Sequence, residues 1–116
     1  MNRIVVNISK IDLIRYIRIS EDNIQASNEI KIKGRLKLPV STPDHPSAVG
    51  IHLILDFVTN AVLFFEITSA VKGYGEKMVR AVAAALPDGW EAAVIMDWSN
   101  GFWEKMANKY DRISFL

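Results

Sequence analysis

The stretch that decides the fold reads Phe64-Phe65-Glu66-Ile67-Thr68-Ser69-Ala70-Val71-Lys72-Gly73-Tyr74-Gly75-Glu76-Lys77-Met78. An apolar, strand-like segment meets a turn with glycines at 73 and 75, and a helical pattern begins directly after the turn. Glycine lets the backbone approach a ligand closely, and the free N–H groups at the start of a helix favour phosphate. The stretch therefore predicts either a phosphate-binding turn or a turn whose glycines are needed only for its backbone conformation.

Spacing excludes two common phosphate motifs at this turn. A dinucleotide fingerprint needs a third glycine where Met78 stands. A P-loop needs four residues between its glycines, followed by Lys and then Ser or Thr. Neither motif fits residues 73–78.

The elements around this turn alternate between strands and helices. Before it, residues 49–58 and 61–67 are predicted as antiparallel strands joined by a tight turn at Thr59-Asn60. After it we predict a helix over 76–86, a buried strand over 92–96, a helix after Ser99 and a strand over 113–116. This order predicts an α/β protein with a mixed sheet.

The first half of the chain is assigned from shorter patterns. Residues 3–8 are predicted as a strand, Ser9 as the cap of a helix that runs to Ile17, and residues 21–28 as a loop. Residues 29–38 alternate strictly and predict one half-buried strand. Its apolar face would hold Ile30, Ile32, Leu36 and Leu38, and its basic face Lys31, Lys33, Arg35 and Lys37.

Composition bounds the function. The 116 residues suit one domain, 1–116, and 50% are hydrophobic, so a packed core is expected. The chain has no cysteine, two histidines and a net charge of +1. Disulfides and thiolate nucleophiles are excluded, no metal site is predicted, and no global field attracts nucleic acid or a membrane. No segment resembles a signal peptide or a membrane span, which predicts a cytoplasmic protein.

Two blocks of the sequence resemble the GNAT (GCN5-related N-acetyltransferase) superfamily. Val71-Lys72-Gly73-Tyr74-Gly75 is similar to the latter part of the Arg/Gln-x-x-Gly-x-Gly/Ala signature, which follows a central strand and begins a helix. Phe102-Trp103-Glu104-Lys105-Met106 is similar to the family's Phe-Tyr-Glu-Lys-Leu helix. The resemblance covers residues 61–116, and the first sixty match only in the order of elements.

The resemblance implies a mixed, splayed β-sheet flanked by helices, with an abbreviated N-terminal half. Acetyl-CoA or another acyl-CoA would lie in the V-shaped opening of the sheet, and an acetyl group would pass to a primary amine. The pantetheine arm would pair with backbone from Phe65 to Ile67. The pyrophosphate would bind the backbone N–H groups of Val71, Lys72, Gly73, Tyr74, Gly75 and Glu76.

Four positions depart from the family pattern: Ala70, Met96, Trp103 and Ala107 stand where the family has Arg or Gln, Asn, Tyr and Gly. The family's tyrosine is the usual proton donor to the departing thiolate, and an indole cannot act as that acid at neutral pH. Tyr110, two helical turns beyond Trp103, is the candidate acid. The departures also support an alternative, a catalytically silent GNAT-like binding or structural module.

Glu66, at the end of the central strand, is the candidate base that accepts the amine proton through water. The alternative is a strand-end glutamate exposed to solvent. His52 and Asp56 share one face of their strand, but their Cα atoms would be about 13 Å apart, which excludes a direct dyad.

The remaining signals concern partners. The basic strand face could contact RNA, an acidic substrate or the 3′-phosphate of CoA. A solvated, edge-protecting face is the favoured interpretation, so nucleic acid is not expected as a partner. Trp90, Trp98 and Trp103 are expected in the core or at a dimer contact. A small mixed sheet with exposed edges makes a homodimer a reasonable expectation.

Overall fold

The computed structural model describes residues 2–95 and 101–115. Its helices are Asn2–Ser9 (α1), Tyr74–Ala84 (α2) and Phe102–Lys109 (α3). Its strands are Tyr16–Ser20 (β1), Asn23–Ser27 (β2), Ile30–Lys33 (β3), Leu36–Pro39 (β4), Val49–Asp56 (β5), Ala61–Ser69 (β6), Glu91–Val94 (β7) and Ile113–Phe115 (β8).

A mixed six-stranded sheet in the order β1-β2-β5-β6-β7-β8 forms the body of the molecule. The strands from β1 to β6 pair antiparallel, whereas β6, β7 and β8 pair parallel. Each parallel step needs a crossover, and α2 and α3 supply the two crossovers. The predicted α/β class with a mixed sheet is therefore confirmed.

One apolar core joins the helices to one face of the sheet. The sheet residues Ile24, Leu53 and Phe64 are cross-strand partners and therefore share a face. The buried helix residues that meet this face are Ile4, Ile8, Met78, Val79, Val82, Trp103 and Met106. The opposite face carries a polar row formed by the register partners Arg18, Gln25, His52 and Glu66.

The elements predicted after residue 49 are confirmed within the described residues. Strands β5 and β6, helix α2 and strands β7 and β8 each lie within a few residues of the predicted bounds. Trp103 is in the core, as expected. Met96, Trp98, Ser99 and Leu116, which the predictions also used, lie outside the described residues.

The first three assignments are wrong. Residues 3–8 form a helix rather than a strand, and the helix expected from Ser9 to Ile17 is replaced by turns and strand β1. The loop expected over 21–28 contains β2, whose Ile24 and Ala26 are buried while Asn23 and Gln25 lie on the polar face. These elements are short, so their packing partners decide their conformation rather than their own pattern.

The strand predicted over 29–38 is a hairpin of β3 and β4. Gly34 has a φ of 63°, the left-handed value that a two-residue hairpin turn requires at its first central position. The turn shifts the alternation. Register pairs Ile32 with Lys37 and Lys33 with Leu36, so the basic residues lie on both faces of the hairpin rather than on one.

No helix among the described residues is long and apolar enough to cross a membrane.

The conformation of α1 can be tested by two matched substitutions. A strand would place Ile4, Val6 and Ile8 on one face. In α1, Ile4 and Ile8 are one turn apart and fully buried, whereas Val6 is 49% exposed. We expect Ile8→Ala to lower the free energy of unfolding by about 2–5 kcal/mol, and Val6→Ala to change it by less than about 0.5 kcal/mol.

Urea denaturation at constant protein concentration measures both effects. Equal losses in the two variants would contradict the helix.

Candidate functional site

Strand β6 is bonded on both sides over only part of its length. It pairs with β5 from Ala61 to Ser69 but with β7 only from Ala61 to Phe64. Within residues 2–95 and 101–115, no strand pairs with Phe65–Ser69 on the β7 side. Among the described residues, the second half of β6 therefore has an unpaired backbone edge on this side, which we call the free edge; such an edge is one to which another extended chain can add.

A β-bulge lies where this free edge begins. Leu53 pairs with Phe64 and His52 pairs with Glu66, so Phe65 has no partner on β5. A bulge places an extra residue in one strand and re-aims the side chains beside it. The Phe65 ring meets the His52 ring edge-on, with centroids 4.9 Å apart.

A cleft of about 340 Å³ lies along the free edge. Its walls are the β6 edge, the loop that follows β4 and the first turn of α3. Trp103 forms part of the wall and packs on Phe64 at a centroid distance of 4.7 Å. The lining residues are Pro43, Asp44, His45, Pro46, Phe64, Phe65, Glu66, Ile67, Thr68, Ser69, Ala70, Phe102 and Trp103.

Glu66 is the acidic group that β6 brings to this cleft. Its Oε2 atom accepts a hydrogen bond from the buried Ser41 hydroxyl at 3.3 Å. On its other side stands His52, its cross-strand partner. The side chain is half-buried, so the free solvated glutamate, the alternative considered from the sequence, does not describe it.

His52 is held in place beside Glu66. Its Nε2 atom is 2.7 Å from Asn23 Oδ1. Burial lowers the pKa of His52, and the charge of Glu66 opposes that shift. The imidazole is therefore neutral at physiological pH, and a neutral imidazole can both donate and accept a proton.

The turn after β6 leads from the cleft to the start of α2. Ser69 Oγ donates to the Val71 carbonyl at 2.6 Å, and the Tyr74 N–H donates to the same carbonyl at 3.3 Å. Gly73 is left-handed with a φ of 88° and faces open space. No side chain caps the helix within the described residues. Of its first N–H groups, that of Tyr74 is used by the Val71 carbonyl, and Gly75 is a buried residue.

The two glycines of the turn have different surroundings. A Cβ atom at Gly75 would lie 3.1 Å from the Phe102 ring, whereas at Gly73 it would meet nothing within 4 Å. Gly75 thus lies close against Phe102, whose ring would have to move by a few tenths of an ångström to admit a methyl group. Close approach of an external ligand is possible at Gly73.

The side chains of the first turn of α2 point away from the cleft. The Tyr74 hydroxyl donates to Asp12 at 2.8 Å, which lowers the pKa of Asp12 and raises that of Tyr74. Glu76 forms an ion pair with Lys109 that lowers the pKa of Glu76. This pair offsets the negative charge at the helix start, and the backbone remains as the part of the turn that a ligand can contact.

Of the ten residues predicted for the site, the structure brings three into the cleft. Phe65, Glu66 and Ile67 line the cleft. The turn from Val71 to Gly73 continues from Ala70 at the end of the cleft. Tyr110 does not join Glu66, because its hydroxyl donates to Glu76 at 3.4 Å.

Ser41, His52 and Phe102 were missed as neighbours of the site. The alternation of β5 places His52 on one strand face, but only the β5–β6 register sets it opposite Glu66. Nothing in the sequence pairs Ser41, in an irregular loop, with β6. Within the described residues, no group of three or more acidic or histidine side chains is placed to hold a metal ion.

No protein-family model, curated protein or solved structure matches this chain.

The contact between Gly75 and Phe102 can be tested by a double-mutant cycle. We expect Gly75→Ala to lower the free energy of unfolding by about 1–3 kcal/mol, because the new methyl group collides with the ring. In a Phe102→Leu background the collision is absent, and alanine should be neutral or stabilising because it favours the helix. Equal losses in both backgrounds, measured by urea denaturation, would contradict the packing.

Proposed function

We propose that this protein binds acyl-CoA in the cleft along β6 and transfers the acetyl group of acetyl-CoA to a primary amine, as a small GNAT-type N-acetyltransferase. The observation that carries the proposal is the alignment of three features. The free β6 edge at Phe65–Ser69 borders the cleft, and the open turn at Gly73 follows this edge in the chain. An elongated ligand with an amide-containing arm and a phosphate end suits that sequence of features.

The pantetheine arm is the part of CoA that suits the β6 edge. Its amides can exchange hydrogen bonds with backbone N–H and C=O groups that have no partner from β7. The bulge at Phe65 supports the same assignment, since bulges end pairing next to functional sites. The cleft volume of about 340 Å³ is in the range of small-molecule sites and suits the arm with its acetyl group.

The pyrophosphate suits the turn that follows. The helix dipole favours an anion near the start of α2, and Val71, Lys72 and Gly73 are the exposed residues of the turn. Gly73 leaves the approach open, whereas Phe102 covers Gly75. We therefore place the phosphate contacts around Val71, Lys72 and Gly73 rather than over the whole turn.

The acetyl transfer would use Glu66 as the base. The amine nitrogen attacks the thioester carbonyl carbon, and its proton passes through water to Glu66. The C–S bond then breaks, and the CoA thiolate takes a proton from water. The Tyr110 hydroxyl is hydrogen-bonded to Glu76 and Trp103 is not an acid, so neither would protonate the thiolate. Most of the rate of acetyl transfer would therefore come from the proximity and orientation of the two substrates.

A second candidate function is a GNAT-like module that binds acyl-CoA without catalysis. The observation in its favour is Trp103, which is buried against Phe64 at the position of the family's catalytic tyrosine. Assays of free thiol released from acetyl-CoA with a panel of primary amines separate the two functions. Steady release that Glu66→Gln slows supports the transferase, and CoA binding without release supports the silent module.

Calorimetry with acetyl-CoA tests the binding that both functions share. Asp and Asn tolerate the left-handed conformation of Gly73 better than other side chains do. They have nearly the same shape, so the pair isolates the effect of charge. We expect Gly73→Asn to bind within about threefold of the wild type. Gly73→Asp should bind at least about tenfold more weakly, because like charges about 4 Å apart repel by ~1–4 kcal/mol near a surface.

The absence of binding in the wild type and both variants would overturn the proposal. Equal binding by the Asp and Asn variants would overturn the phosphate position.

A further inference from the structure

The basic residues of this protein are segregated although its net charge is only +1. Six of the 14 Lys and Arg residues fall in residues 15–18 and 30–39, which contain no acidic residue. The rest of the chain holds the other eight together with all 13 Asp and Glu residues. The six basic residues are Arg15, Arg18, Lys31, Lys33, Arg35 and Lys37.

The fold brings these two segments together. Strand β4 packs against β1 and β2, and a groove of about 260 Å³ runs between β1 and the β3–β4 hairpin. Three of the basic side chains line it. The lining residues are Arg15, Tyr16, Ile17, Arg18, Ile30, Lys37 and Pro39. The other three basic residues are exposed on the hairpin that borders the groove.

No carboxylate in the described part of the chain forms an ion pair with this surface. Within the described residues, the ion pairs join His45 to Glu29 and Lys109 to Glu76, and neither includes a residue of the groove or the hairpin. Arg18 has only a long contact of 3.4 Å to the Gln25 amide oxygen. Such a surface attracts an anion with several spaced charges.

Tyr16 adds a second kind of contact. It lines the groove between the basic side chains and is 42% exposed. An exposed aromatic ring inside a basic groove is the arrangement on which single-stranded nucleic acids bind, because the bases stack on the ring while the phosphates follow the positive charges.

We propose that the groove between β1 and the β3–β4 hairpin binds single-stranded nucleic acid. Arg15, Arg18 and Lys37 contact phosphates, and Tyr16 stacks on a base. Lys31 and Lys33 lie on the other face of the hairpin, so they add to the local positive charge without lining the groove. The groove shares no lining residue with the cleft along β6 that we propose as the acyl-CoA site.

Fluorescence anisotropy with labelled single strands of about 12 nucleotides tests the proposal, with one arm of oligo(dT) and one of oligo(U) to distinguish DNA from RNA. If about four phosphates are neutralised, the slope of log affinity against log salt is about −3, and binding weakens roughly 50-fold between about 50 and 200 mM salt. Arg15→Gln/Arg18→Gln/Lys37→Gln should lower the magnitude of the slope by about 2. Tyr16→Leu should weaken binding at least about fivefold.

The matched control is Lys10→Gln/Arg80→Gln/Lys105→Gln, which removes the same charge from exposed positions elsewhere. It should bind like the wild type. Since Arg18 is half-buried, Arg15→Gln/Lys37→Gln serves as a second groove variant, with circular dichroism to verify folding.

Three results would overturn the proposal. The first is the absence of oligonucleotide binding by the wild type at about 50 mM salt. The second is an equal loss of affinity in the groove and control variants. The third is binding to phosphatidylserine vesicles without binding to either oligonucleotide.

Discussion

The backbone hydrogen bonding of β6 is the constraint on which the rest of this structure depends. A strand in the middle of a sheet normally bonds to neighbours on both sides, and among residues 2–95 and 101–115 the strand β6 does so only as far as Phe64. Beyond that point it holds β5 and turns a free edge toward the cleft. Phe64, the last residue of β6 that pairs with β7 among the described residues, is buried in the core with Trp103 packed on it.

The face of the sheet opposite the helices connects the cleft to the basic groove. Its polar row begins at Arg18, which lines the groove, and ends at Glu66, which lines the cleft. The four residues of this row are half-buried, and the loop after β4 packs on the end of the row, where Ser41 donates a hydrogen bond to Glu66. The net charge of +1 conceals the difference between the two ends, since opposite charges cancel in the sum while they remain apart in space.

The second half of the fold could be predicted because its elements are long and end at clear signals. Helix α2 has its apolar residues at helical spacing, and Pro87-Asp88-Gly89 follows it. In the first half, residues 3–8 carry β-branched side chains that suit a strand, and packing on α2 makes them a helix. Within the site, Phe65 and Glu66 could be predicted because they lie at the end of a predicted strand, just before the glycine turn. His52 and Ser41 come from distant segments, and pairing and loop packing alone bring them to Glu66.

Amide hydrogen exchange with and without saturating CoA tests most directly whether the free edge of β6 is the binding edge. Amides of residues 65–69 that point away from β5 should exchange rapidly in the free protein and slow markedly when CoA is bound. Amides of β5, already bonded on both sides to β2 and β6, should change little. Unchanged exchange across residues 65–69 at saturating CoA would contradict the account.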